Sequence, residues 1–340
     1  MLALRLGGRI GGCIVSRRFG RALVTVLAGG LALSLGAAAA FAAPAGMLKQ
    51  FKVPTASSQP RAITNGSDGN RWFTEGTEFT GAPAKIGRIT PAGAVTEFPV
   101  DCNGCIITDI AQGPGDILYF TSNDPTLGRF TTAGQQLTSV PMPNSSALGG
   151  DLAINGDDIW ITDFNNDSLW RYTITSGQFT QFQVAEPADV AVDSLGRVWF
   201  SAPLAGTIDE LDPATGAVTS TDAGGLIPRD LAVAADGQVW FTARFTPQGV
   251  GRLNPDANPR VVTTFPLTNV GPQGIAASPD GTMWFTQTTK GNIANINNTG
   301  VITEAKTVKG SQPFGITVAP DANPWYTMMS ANKIATLQLR

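Results

Sequence analysis

From Met47 onward, short apolar runs alternate with polar positions in period two. One set reads "ADVAVD" (Ala188 to Asp193), "RVWFS" (Arg197 to Ser201), "TIDELD" (Thr207 to Asp212) and "AVTST" (Ala217 to Thr221). Such runs, rich in β-branched and aromatic residues and bounded by Gly, Pro, Asn and Asp, predict strands joined by tight turns. The second run of each set carries an aromatic anchor, then an aromatic or Ile, then Thr or Ser. The anchors are Trp72, Tyr119, Trp160, Trp199, Trp240, Trp284 and Trp325, separated by 47, 41, 39, 41, 44 and 41 residues. A fixed period near 40 is the mark of a repeat architecture. Only Trp170 falls outside it among the tryptophans.

Four strands in each of seven repeats predict an all-β chain, a seven-bladed β-propeller. One blade cannot bury both faces, so the anchor and its follower are expected to fill the space between blades. The last repeat stops at Arg340 without a fourth strand. "MLKQFKVP" (Met47 to Pro54) matches fourth strands such as "AVTEFPV" (Ala94 to Val100). The N-terminal strand is therefore expected to complete the seventh blade, which removes two open sheet edges.

Composition changes the picture at the N-terminus. Residues 1–21 hold five Arg and no acid, and residues 22–43 hold no charge. With Ala40-Phe41-Ala42 behind them, residues 1–42 read as a secretory signal peptide, and 43–340 as the propeller domain. An uncleaved membrane anchor is the alternative, since the run is long enough to span. Arg17-Arg18 also resembles a twin-arginine export signal. The expected location is periplasmic or secreted, with no membrane contact after cleavage, and the expected state is a monomer. Without the leader, 23 − 5 = 18 basic residues face 26 acidic ones. A net charge of that sign argues against nucleic acid as a partner. Cys102 and Cys105, in "CNGC", read as a local disulfide in an oxidising compartment. A redox motif would need a βαβ context, and a zinc site two more Cys or His ligands.

The chain contains no His, which rules out WD40 repeats with their Gly-His dipeptide. The recurring phrase "P-x-G-I-A…DG-x-x-WFT…N-x-I-x-x-I…G-x-I-T-E", with "KIGRITPAGAVTEFPV" (Lys85 to Val100), resembles the virginiamycin B (streptogramin) lyase family over all seven repeats. The resemblance implies a propeller that opens cyclic depsipeptides by elimination, with a divalent metal such as Mg²⁺. It also implies a His after the Pro of the inner strand in late blades, and a Glu four residues after a blade Trp. A neutral imidazole suits proton abstraction beside a carbonyl. Here the slots after that Pro, or its equivalent, hold Arg61, Thr108, Gly150, Ala188, Arg229, Gln273 and Phe314. The residues four after the anchors are Gly76, Asn123, Phe164, Pro203, Arg244, Thr288 and Met329. None is His or acidic, and the amide of Gln273 is no base. No catalytic residue carries over.

One place after the slot, four consecutive repeats carry an acid: Asp109, Asp151, Asp189 and Asp230. Each is suited to accept backbone N–H groups of the next blade. The four together would also suit a hard cation, Mg²⁺ or Ca²⁺, at the channel mouth. Arg61, Arg229, Gln273 and Phe314 are expected to ring the same mouth, either as solvated rim residues or as contacts for an anionic or peptide-like ligand. Glu75, Asp163 and Gln287, three residues after their anchors, are further channel candidates. Two functions follow. The first is a binding scaffold without catalysis, for a small molecule, a peptide or an envelope protein. The second is a metal-dependent lyase, or a lactonase-type hydrolase, with a rebuilt site.

Overall fold

The computed structural model describes residues 46–76, 84–102, 104–144, 146 and 149–339. The expected signal peptide over residues 1–42, with its arginine pair, lies outside them. Among the described residues, twenty-eight strands form seven four-stranded antiparallel sheets. In blade 4 the order from the axis outward is Val190–Val192, Val198–Ala202, Thr207–Leu211 and Val218–Asp222. The innermost strands of the seven blades neighbour one another in a closed ring around a central channel. Blade 7 contains both ends of the described chain. Gly46–Lys52 pairs with Lys333–Leu339, from Gly46 opposite Leu339 to Lys52 opposite Lys333. Backbone hydrogen bonds thus lock the ring and pair the edge of Lys333–Leu339.

Burial follows position within the blade. Second strands such as Val198–Ala202 and Val239–Ala243 are buried at every residue. The outermost strand Val218–Asp222 is exposed except at Thr221. Successive strand residues point to opposite faces, so each anchor and its follower serve different neighbours. Trp72 of blade 1 packs with Phe120 of blade 2, Trp160 with Phe200, Trp199 with Phe241, Trp240 with Phe285 and Trp284 with Tyr326. Trp325 of blade 7 meets Phe73 of blade 1, which closes the series. The aromatic pairs are the inter-blade core.

The follower also sets the residue opposite it on the third strand. Gly87, Gly128 and Gly251 lie across from Phe73, Phe120 and Phe241. A Cβ at these glycines would stand 2.0–2.1 Å from the ring, so a larger residue there requires the ring to shift, and blades 4, 6 and 7 place Asp209, Ala294 and Ala335 at the same position. Blade 3 inverts the arrangement. Its follower is the smaller Ile161, and Trp170 stands opposite. Both pack against Tyr119 of blade 2. The tryptophan outside the repeat is therefore the glycine position enlarged to fill what Ile161 leaves empty.

Candidate functional site

The Thr or Ser that follows each aromatic pair builds the mouth. These seven side chains are 0–1% exposed. Thr121, Thr162, Ser201, Thr242, Thr286 and Thr327 each donate a hydroxyl to the slot carbonyl of the next blade: Gly150, Ala188, Arg229, Gln273, Phe314 and Arg61. Several also accept a backbone N–H from their own inner strand, as Gly274 gives to Thr286 (3.0 Å) and Gly315 to Thr327 (2.9 Å). The hydroxyls thus bridge consecutive blades. Their part was not drawn from the sequence, although the signal was present in the repeated third letter of the "WFT" phrase.

With the slot backbone fixed, the next residue of each blade faces the axis. Ala62, Asp109, Asp151, Asp189, Asp230, Gly274 and Gly315 all line one cavity of about 210 Å³. Its wall is acidic over blades 2–5 and small or apolar over blades 6, 7 and 1. Two of the aspartates brace the next blade. Asp109 Oδ2 accepts the Leu152 N–H at 3.0 Å, and Asp189 Oδ2 accepts that of Leu231. Asp189 Oδ1 takes the Val190 N–H at 2.7 Å. Asp230 Oδ1 instead accepts Gln273 Nε2 at 2.9 Å. Among the described residues, no donor closes on the Asp151 carboxylate.

Removal from bulk water raises the pKa of all four, because it disfavours the charged carboxylate. It pushes Asp109 up to about 6 against two helpful N–H bonds. Asp151 and Asp189 stand well above the usual carboxylate range, first through desolvation and then through the charges of their neighbours in the arc. Asp230 is raised less freely, because Arg229 and the Gln273 amide oppose the desolvation.

The four mouth candidates do not form one ring of free contacts. Arg61 lies over the Phe314 ring at 5.1 Å, a cation–π pair between blades 1 and 7. Phe314 lines the channel cavity. Gln273 is 4% exposed, and its amide is spent within the protein: Nε2 on Asp230, and Oε1 accepting from Arg244 at 3.2 Å. Arg229 lines a separate groove with Phe164, Leu204 and Phe245.

Glu75, Asp163 and Gln287, expected at the channel, are instead 0–1% exposed within the blades. Their strand is one removed from the axis, and they share the follower's face. Asp163 accepts from Asn166 and from the Trp170 indole, and Gln287 donates to Glu304.

The divalent ion implied by the resemblance finds no ready cage. Among the described residues, the one set of three donors within 4.8 Å of one another is Cys102, Cys105 and Asp124. There the two sulfurs are joined as a disulfide, with Cα atoms 5.5 Å apart. No three carboxylates of the arc converge that closely, so the arc does not fit an ion bound by three of its acids without side-chain movement.

Fold and mouth define a seven-bladed propeller with a polar, half-acidic channel entrance. The model of the virginiamycin B lyase family matches residues 40–224 and 216–340, and the chain belongs to that family. Among solved structures it is similar to a streptogramin B lyase, with TM-score 0.77 and 23% identity over 86% of this chain and 98% of that one. It is also similar to virginiamycin B lyase from Staphylococcus aureus, with TM-score 0.76 and 20% identity over 86% and 99%. A catalytically inactive variant of that enzyme with quinupristin matches at TM-score 0.76 and 21% identity, over the same shares. At these identities the likeness is one of fold. No curated protein matches.

Proposed function

We propose that this chain is an exported binding propeller of the virginiamycin B lyase family that holds a small molecule, a peptide or an envelope protein at its mouth and does not carry out elimination. One observation carries the reading: the slot where the resemblance places an imidazole holds Gln273, whose amide is committed to Asp230 and Arg244. An amide so held neither takes a proton nor turns toward a substrate. The chain has no His to replace it. The test is incubation of the purified mature chain with a streptogramin B-type depsipeptide and Mg²⁺, followed by chromatography and mass spectrometry. Unaltered substrate is expected. A new peak of equal mass means ring-opening by elimination and overturns the reading. A peak heavier by one water means hydrolysis and overturns it too.

A metal-dependent enzyme is the second reading, favoured by four carboxylates facing one cavity. It requires the arc to close inward around Mg²⁺ or Ca²⁺. Equilibrium dialysis with each ion tests it, and less than one ion per chain at millimolar concentration excludes it.

A further inference from the structure

Exposed large apolar side chains are few on the described surface, and three of them surround one groove. Leu204 is 72% exposed, Phe245 52% and Phe164 40%. They come from the turns after the second strands of blades 4, 5 and 3, on the face where the channel opens. With Leu226 and Ile227 they line a groove of about 550 Å³, within the size range of small-molecule sites. Solvent-facing apolar groups gathered around a concavity mark a binding surface more than scattered ones do.

The groove also contains one cation. Arg229 lies among its lining residues, and its backbone is fixed by Thr242 and the Ser201 hydroxyl. Among the described residues, none of the ion pairs includes Arg229, and no hydrogen bond of its guanidinium is found. The acid within the groove is Asp222, which already holds the Gly224 N–H at 2.7 Å. On the channel side, the charge of Arg229 is felt by Asp230 and Asp151, but among the described residues no carboxylate lies in ion-pair contact with its guanidinium. An apolar trough with an unpaired guanidinium is complementary to an apolar body with one anionic group.

We infer that this groove is a binding site for an amphipathic organic anion, with its aromatic or alkyl body between Leu204, Phe245 and Phe164 and its carboxylate or sulfonate on Arg229. The site uses the slot residue of blade 5, Arg229, which lines the groove and not the channel cavity, so it holds whether or not the depsipeptide assay detects turnover.

Two fluorescent probes of similar shape test it on the mature chain: anilinonaphthalene sulfonate and the neutral N-phenylnaphthylamine. One saturable sulfonate site per chain is expected. Leu204→Ser combined with Phe245→Ser removes binding of both probes. Arg229→Gln weakens the sulfonate about tenfold, the scale of one charge-assisted hydrogen bond, and leaves the neutral probe unchanged. The serine positions are exposed, so an unaltered melting curve verifies the fold, and Leu204→Ser alone serves if the double variant is unstable. Three results overturn the inference: no saturable site, sulfonate binding that survives the serine substitutions, or an Arg229→Gln effect that is absent or equal for both probes.

Discussion

At Thr242 one hydroxyl joins two blades. It is 0% exposed and donates to the Gln273 carbonyl at 2.6 Å. Replacing it with the isosteric Val leaves that carbonyl short of a donor in a dry interface. Thr242→Val is expected to lower stability by about 1–3 kcal/mol, and Thr242→Ser to recover most of it, as read by urea unfolding. Glu75 is a second residue with a large effect. Burial lifts its carboxyl to about 8 from 4.5, with the charge of Glu97 adding to the rise and Ser58 and Lys85 opposing it. The folded protein keeps this proton while the unfolded chain loses it, so stability falls as pH rises from about 4.5 to about 8. The slope contributed is at most about 1.4 kcal/mol per pH unit. Glu75→Gln is expected to remove that slope and to be more stable than the parent at pH 8. Equal melting temperatures across that range in both proteins would contradict it. Neither residue's role was legible in sequence. The partner of Thr242 is a backbone carbonyl 31 residues away, and Glu75 looks like a channel acid until the face it shares with Phe73 is seen to be buried between blades.

The strands themselves were legible, because their period-two pattern and the spacing of the aromatics both come from the packing of one blade on the next. Trp170 was not. Its fit depends on Ile161 across the sheet, a pair that no spacing within one run reveals. The two residues trade volume, and a double-mutant cycle measures the trade. Ile161→Phe alone overpacks the interface with Tyr119 and is expected to cost about 1–3 kcal/mol. Trp170→Gly alone opens a cavity and costs about 3–5 kcal/mol. Together they recreate the phenylalanine–glycine pair of blades 1, 2 and 5, so the double variant is expected to lose less than the sum. Strict additivity in chemical denaturation would show that the two sites do not exchange volume. The acidic arc was also legible as a set of equivalent positions, since one repeat length separates its members. Whether each carboxylate braces a neighbour or faces the cavity was not, because Asp109 and Asp151 differ only in which backbone N–H lies within reach.

Across the whole molecule, closure rests on Gly46–Lys52 in blade 7. Removing these residues unpairs Lys333–Leu339 and uncovers both faces of blade 7, the one that Phe51 packs toward blade 1 and the one that Leu48 packs toward blade 6. The expected result is a melting temperature lower by about 10 °C or more, with a broadened transition, measured by calorimetry. An unchanged curve would mean that the ring holds without its clasp. This closure was predictable because the incomplete last repeat and the unmatched first strand supply what the other lacks.

The same pairing places Gly46 directly across from Leu339. The chain therefore enters and leaves the ring at neighbouring points on the rim. A short turn joining Leu339 to Gly46 would make blade 7 one continuous meander, like the other six. New ends could then be opened in a connection between any two blades. Such circular permutants should keep the fold when the cut falls in an exposed turn. Each would move the seam to a different blade, so that the contribution of every junction to the ring could be compared in the same set of residues.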